Sequence, residues 1–227
     1  MNGPDDTIRV AVVDDQELMR AALRLMVESQ PDLQLVGEAA DGNEALALVR
    51  ARRVDVVLMD LRMPRLDGIE ATAAITREQP RTRVLALTTF DLDEYAFPAL
   101  RAGASGFLLK DARAEEIVGA IRTVHAGHGV VAPSTTRRLI EHVATTPAAD
   151  GTRAARIRAL LTPRELDMLR ELATGDSNAE IARRLHLSEN KVKTHVGHVL
   201  SKLGLRDRVQ AVVLAYESGL ARPADGG

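Results

Sequence analysis

Ile8-Arg9-Val10-Ala11-Val12-Val13-Asp14-Asp15 is an apolar run, broken only by Arg9, that stops at two adjacent carboxylates. Runs of this length and composition read as strands buried on both faces of a parallel sheet. Val54 to Met59, Arg83 to Leu87 and Gly106 to Leu109 look alike, and Leu33 to Glu38 supplies a fifth. Between them the spacing turns helical. Leu18, Ala22, Leu25 and Met26 fall at i, i+4, i+7 and i+8, and Ile69, Ala73 and Ala74 follow a similar pattern. This alternation predicts a doubly wound α/β domain with five strands and five helices between Ile8 and Gly127.

Ligands of such sheets sit beyond the carboxyl ends of the strands. Asp14 and Asp15 end the first strand, Asp60 the third, Thr88 the fourth and Lys110 the fifth. Three carboxylates brought together repel one another, and a hard divalent cation such as Mg²⁺ relieves the repulsion. Lys110 and the Thr88 hydroxyl can then neutralise and bind the oxygens of an incoming phosphoryl group, whose transfer depends mostly on positioning and charge. Asp60 is the carboxylate assigned to attack, because it lies mid-sheet beside the loop Leu61 to Asp67. Turn formation and helix capping would explain any one of these residues alone. They do not explain five at the ends of four strands.

Composition bounds the rest. In 227 residues there is no cysteine, which excludes disulfides, thiolate metal sites and a thiol nucleophile and fits a cytoplasmic protein. No run approaches a membrane span, and Met1 to Thr7 is polar and acidic, unlike an export signal. Three Phe, two Tyr and no Trp argue against stacking of single-stranded bases. Residues 1–130 carry 15 basic against 21 acidic side chains, whereas residues 157–227 carry 11 against 9, so the halves suit different partners. Residues 131–156, with Pro133, Thr145-Thr146-Pro147-Ala148-Ala149 and Asp150-Gly151, read as a linker with one short helix at Thr136 to Val143. The expected domains are thus 1–130 and 157–227.

The second domain is expected to be all-α, with helices at about 163–174, 178–185, 189–203 and 207–218. Thr162-Pro163-Arg164-Glu165 and Ser177 with Glu180 are capping boxes, and Gly175, Gly204 and Gly219 mark helix ends. Ile181, Ala182 and Leu185 form one apolar stripe, and Val192, Val196, Val199 and Leu203 form another. His186-Leu187-Ser188 links the two helices, as in a helix-turn-helix whose second helix enters the major groove. With Val192 and Val196 inward, Asn190, Thr194, Gly197 and Ser201 point outward. Lys193 lies on one shoulder and Lys191, His195, His198 and Lys202 on the other, a face suited to phosphates and base edges.

Two resemblances sharpen these readings. Val12-Val13-Asp14-Asp15, Asp60-Leu61-Arg62-Met63-Pro64 with Asp67-Gly68, Leu87-Thr88-Thr89, and Gly103-Ala104 leading to Phe107-Leu108-Leu109-Lys110 resemble a receiver domain of the two-component systems. That resemblance implies phosphorylation of Asp60 by a sensor histidine kinase. It also implies Mg²⁺ held by Asp14, Asp15, Asp60 and the backbone carbonyl of Arg62, and a switch formed by Thr88 and Phe107. Pro98 departs from the pattern, so the fourth helix, Asp93 to Ala102, is expected either to start late or to kink.

Leu161-Thr162-Pro163-Arg164-Glu165, Ala173-Thr174-Gly175, Ser177-Asn178, Ile181-Ala182, Leu187-Ser188, Val192-Lys193-Thr194-His195 and Lys202-Leu203 resemble the LuxR-type output domain. Together with the receiver pattern they resemble the NarL/FixJ family. The similarity implies base-facing roles for Lys193, Thr194 and Gly197, and phosphate-contacting or bracing roles for Thr162, Ser177, Asn178, Ser188 and His195. The last helix, with Val209, Val212, Val213 and Tyr216, resembles a dimerisation helix, the alternative being ordinary packing. The expected protein is a transcription regulator and not an enzyme, binding double-stranded promoter DNA as a homodimer once phosphorylated, with no membrane partner. A regulator indifferent to phosphorylation is one alternative. A Mg²⁺-dependent phosphatase or phosphotransferase is another, disfavoured because the strand ends offer no glycine-rich phosphate cradle and no second acid/base histidine.

Overall fold

The computed structural model describes residues 7–88, 92–127, 129–131 and 151–221. The chain divides into two compact units, Met1–Val131 and Ala132–Gly227. Thr89 and the expected helix at 136–143 lie outside the described residues.

In the first unit six parallel strands, β1 (Ile8–Val13), β2 (Leu33–Ala39), β3 (Val56–Asp60), β4 (Arg83–Thr88), β5 (Gly106–Leu109) and β6 (Val130–Val131), lie in the order β2-β1-β3-β4-β5-β6. Helices α1 (Glu17–Glu28), α2 (Gly42–Ala51), α3 (Gly68–Glu78), α4 (Leu92–Arg101) and α5 (Ala114–His125) connect the strands up to β5 and lead out of it. The chain winds outward to β2 and then back past β1 to β3, so β1 and β3 flank the point where the winding reverses. A ligand crevice is expected there, and Asp14 and Asp60 emerge at it. Val10 and Val12 of β1 pack with Leu23, Val27 and Ile121 on one face. Their neighbours Ala11 and Val13 pack with Ala45, Val49 and Ile75 on the other. Burial on both sides is why the central strands are largely apolar runs, Val56–Met59 of β3 and Val84–Leu87 of β4 being fully buried.

The parallel five-stranded core is as expected, and β6 extends it by pairing Val130 and Val131 with Gly106 and Phe107. Helix α4 runs from Leu92 through Pro98 to Arg101, so Pro98 does not mark its start. Helix α1 corrects the sequence reading more sharply. Three of the four residues that mark its stripe face solvent, Leu18 being 85% and Leu25 63% exposed and Ala22 exposed between them. The core takes Leu23 and Val27, with Met19 and Met26 packed partly against it. The helix is apolar on two sides, and Met19, Leu23 and Val27 satisfy helical spacing as well as the stripe first chosen.

Among the described residues the regular structure of the second unit is all helical: α6 (Gly151–Leu160), α7 (Pro163–Ala173), α8 (Asn178–Arg184), α9 (Glu189–Leu203) and α10 (Arg208–Glu217). The last four match the expected segments. Helix α6 begins inside the stretch read as linker, and Ala154, Ile157 and the following Leu161 are buried at i, i+3 and i+7. Its stripe is narrow and interrupted by Arg153, Arg156 and Arg158, which hid it from a periodicity reading. Thr162 and Ser177 close the two predicted capping boxes. Gly204 ends α9 in the left-handed conformation at φ 64°.

One close approach fixes the loop that follows β3. A Cβ added at Gly68 would lie 1.9 Å from the backbone oxygen of Asp60, and Gly68 N–H donates to the Leu61 carbonyl at 3.0 Å. The first turn of α3 is therefore pressed against the end of β3, and no flexible side-chain tip is there to yield. Gly68→Ala is expected to cost at least about 2 kcal/mol of stability, measured as a lowered urea midpoint at unchanged slope. An unchanged midpoint would contradict the packing described.

Candidate functional site

At the carboxyl edge of the sheet, Asp14 and Asp60 face one buried cation. Lys110 Nζ lies 2.6 Å from Asp14 Oδ2 and 2.9 Å from Asp60 Oδ2, with the Lys110 side chain only 3% exposed. The Lys110 N–H donates to the Thr88 carbonyl at 2.7 Å, which ties the end of β5 to the end of β4. Gln16 N–H donates to Asp14 Oδ1 at 2.9 Å and Arg62 N–H to Asp60 Oδ1 at 3.3 Å, so each carboxylate is oriented from its own loop. Burial, reinforced by the Asp14 charge, pushes the Asp60 carboxyl above its ordinary range against the pull of Lys110. Burial also disfavours the Lys110 charge, but Asp14 and Asp60 outweigh it and hold the ammonium above its usual pKa.

Asp15 is exposed beside them, and one oxygen from each of Asp14, Asp15 and Asp60 lies within 4.8 Å of the others. Asp14 Oδ2 is buried and has no hydrogen bond of good geometry, only its ion contact with Lys110. An all-oxygen donor set with one such oxygen inside and one carboxylate open to solvent fits a hard, partly hydrated cation such as Mg²⁺. Thr88 is buried at the end of β4, and Phe107 on the neighbouring β5 is fully buried. Arg20, which the sequence reading did not single out, donates from Nη1 to the Asp14 carbonyl at 2.7 Å. Its place one turn into α1, six residues beyond Asp14, was the available signal.

In the second unit the candidate residues separate by task. Thr162, Ser177 and Ser188 are N-caps whose hydroxyls accept from the backbone N–H of Glu165, Glu180 and Lys191. Asn178 Oδ1 accepts from Arg208 at 3.3 Å, and Arg208 also donates to the Asp176 carbonyl. This brace joins the start of α8 to α10; bracing is one of the roles the resemblance implies for Asn178, and the sequence reading did not single out its partner Arg208. Lys191, Lys193, Thr194 and Gly197 are exposed on α9, and His195 is half-buried. Lys193 pairs with Glu189 at 3.3 Å, and Thr194 Oγ1 donates to the Asn190 carbonyl at 3.0 Å. Lys202 Nζ lies 2.7 Å from the buried Glu165 carboxylate, which ties α9 to α7 while the lysine stays partly exposed. The four residues expected on a dimer face are buried in the chain itself. Tyr216 donates its hydroxyl to the Ala173 carbonyl at 2.8 Å, so for this residue the packing alternative holds.

This architecture, an acidic pocket on a doubly wound sheet followed by a helix-turn-helix unit, defines a class of regulator. Residues 10–122 match the response regulator receiver domain, and residues 159–215 match the bacterial regulatory proteins of the luxR family. The chain is 42% identical to the uncharacterized transcriptional regulatory protein YxjL of Bacillus subtilis, over 96% of this chain and 99% of that one. It is 37% identical to the response regulator protein VraR of Staphylococcus aureus, over 94% and 99%. It also resembles the crystal structure of the response regulator ChrA of a heme-sensing two-component system, at 35% identity, a TM-score of 0.53, and coverage of 95% of this chain and 99% of that one. The chain belongs to the LuxR/NarL family of DNA-binding two-component response regulators. Among the described residues no helix is long and apolar enough to cross a membrane.

The Glu165 and Lys202 pair gives a test of how α9 is held. Lys202, followed by the Thr162 N–H, lowers the Glu165 carboxyl from 4.5 to about 2. A depressed carboxyl stabilises the fold above its ordinary pKa, and that contribution is lost as pH falls through the folded-state value. Lys202→Met is expected to move the Glu165 titration back toward 4.5, read by carboxyl ¹³C NMR. Its stability deficit relative to wild type should shrink as pH drops from 4.5 toward about 2. A Glu165 titration unmoved by the substitution would contradict the brace.

Proposed function

We propose that Asp60 accepts a phosphoryl group from a sensor histidine kinase and that the modified protein, paired as a homodimer, binds promoter DNA to control transcription. The observation that carries this reading is Lys110 held between Asp14 and Asp60 at the sheet edge, with Asp15 alongside. An Asp60 carboxylate oxygen attacks phosphorus, a new O–P bond forms, and the bond from phosphorus to the donor histidine nitrogen breaks. Lys110 already lies within ion-pair distance of the reacting carboxylate and neutralises the arriving oxygens. Asp14, Asp15, Asp60 and the Arg62 carbonyl would hold Mg²⁺, which when bound supplies positive charge to the phosphoryl oxygens.

The exposed apolar stripe of Leu18, Ala22 and Leu25 starts at the mouth of the pocket, and it supports docking of a helical partner such as the kinase there. The switch acts through Thr88 and Phe107: a hydroxyl drawn to the phosphoryl group alters the space beside a fully buried aromatic ring. On the output side Lys193, Thr194 and Gly197 face base edges, and Lys191 and His195 face phosphates. The capped N-termini at Thr162, Ser177 and Ser188 add backbone N–H groups suited to phosphate oxygens. Two copies present two recognition helices about one DNA turn apart. The chain acts in the cytoplasm and turns over its own phosphoryl group, with no outside substrate.

DNA affinity measured on fragments from the protein's own promoter region, with and without a small-molecule phosphodonor and Mg²⁺, tests the proposal. Wild type should bind at least about tenfold more tightly with the donor, the scale of a typical allosteric coupling, and Asp60→Ala should not respond. Equal affinity in all four conditions would establish regulation without phosphorylation instead.

A further inference from the structure

The loop between β3 and α3 contains a residue in a conformation that side chains avoid. Arg65 has φ 69°, and His186 is the only other non-glycine residue with positive φ among the described residues. For an L-residue with a Cβ the left-handed region costs on the order of 1 kcal/mol, and such strain persists only where the surroundings over-determine it.

The surroundings of Arg65 do so. Its Nε donates to Asp41 Oδ2, and its Nη2 pairs with the same oxygen and lies 3.8 Å from Glu44 Oε1. Asp41 is buried, and its other oxygen caps α2 by accepting from the Glu44 N–H at 2.9 Å. That N–H, followed by Arg65, holds the Asp41 carboxyl below its ordinary range. Next to Arg65, the Leu66 carbonyl accepts from the Gly42 N–H at 3.1 Å, and a Cβ at Gly42 would lie 2.7 Å from that oxygen.

The loop is therefore pinned at both ends. Gly68 is hydrogen-bonded to Leu61 beneath Asp60, and Arg65 and Leu66 are fastened to the start of α2. Between the pins lies Arg62, whose carbonyl is the ligand this loop offers to the cation, and the loop starts directly from Asp60 at the end of β3. The Arg62 N–H also reaches back to Asp60 Oδ1. Releasing Arg65 would free the stretch that carries the Arg62 carbonyl and the Arg62 N–H that orients the Asp60 carboxylate.

We infer that Arg65 is a positioning residue for the metal pocket: clamped on Asp41, it holds the loop after Asp60 in the shape that presents the Asp60 carboxylate and the Arg62 carbonyl to Mg²⁺. The inference rests on the phosphoacceptor reading above. The effect expected of such an outlying partner is a 10- to 100-fold change in metal affinity, of about the size seen when groups that orient metal ligands are removed.

The test is a double-mutant cycle on Mg²⁺ affinity, measured by titration calorimetry on the full chain for wild type, Arg65→Gly, Asp41→Asn and the double variant. Glycine accepts the backbone conformation, so Arg65→Gly removes the clamp and leaves the turn allowed. Working in about 1 M salt, where the Debye length is about 3 Å, suppresses the long-range effect of deleting a charge. Each single variant should weaken Mg²⁺ binding by about tenfold or more, and the double variant should be no weaker than the worse single one. Arg65→Lys, a cation without the fork, should recover part of the loss.

Variants that bind Mg²⁺ as tightly as wild type, or effects that simply add, would overturn the inference even where thermal stability falls. A wild-type chain that binds no Mg²⁺ would overturn the phosphoacceptor reading itself, and a wild type that binds while the cycle shows no coupling would sink only the role of Arg65.

Discussion

The ion contacts from Lys110 to Asp14 and Asp60 are the constraint on which the rest of the first unit depends. Three acidic groups at a sheet edge are costly unless compensated, and Lys110 reaches two of them only because β1, β3 and β5 lie in one parallel sheet with aligned ends. A buried pair of this kind adds little net stability, since desolvation offsets most of the attraction. Its value is functional. One carboxylate is held in a dry, oriented position with a cation at contact distance, and neighbouring oxygens are arranged for a second cation.

The flanking elements are shaped by that edge. Gly68 brings α3 against the Asp60 carbonyl, the Lys110 N–H ties β5 to Thr88, and Arg20 reaches back from α1 to the Asp14 carbonyl. The neighbours of the pocket thus include the start of α1, the loop into α3 and the end of β4 beside Phe107. The phosphoryl group proposed for Asp60 would change charge and packing at all of them together. The helical unit is built differently. Its helix starts are fixed by capping boxes, and α9 is braced by Lys202 on Glu165, leaving an exposed face of small and polar residues.

Much of this was legible in the sequence because the signals are local. Apolar runs ending in Asp or Lys fix strands and their carboxyl ends, and Thr162 with Glu165 or Ser177 with Glu180 fix helix starts, each within a few residues. What could not be read depends on competition between distant partners. Helix α1 has two apolar stripes, and only the sheet decides that Leu23 and Val27 go inside while Leu18 and Leu25 stay out. Helix α6 and the Leu161 that follows it bury three residues separated by arginines, and β6 is two residues long, so neither leaves a periodic trace. The pairing of Lys202 with Glu165 spans 37 residues and that of Tyr216 with Ala173 spans 43, so neither leaves a trace in local spacing.

The most direct test of the central claim is the covalent state of Asp60. Intact-mass measurement after exposure to a small-molecule phosphodonor should show one added phosphoryl group on wild type with Mg²⁺, little without it, slow uptake by Lys110→Ala, and none on Asp60→Asn. Uptake by Asp60→Asn equal to wild type, or none by wild type with Mg²⁺ present, would contradict the account.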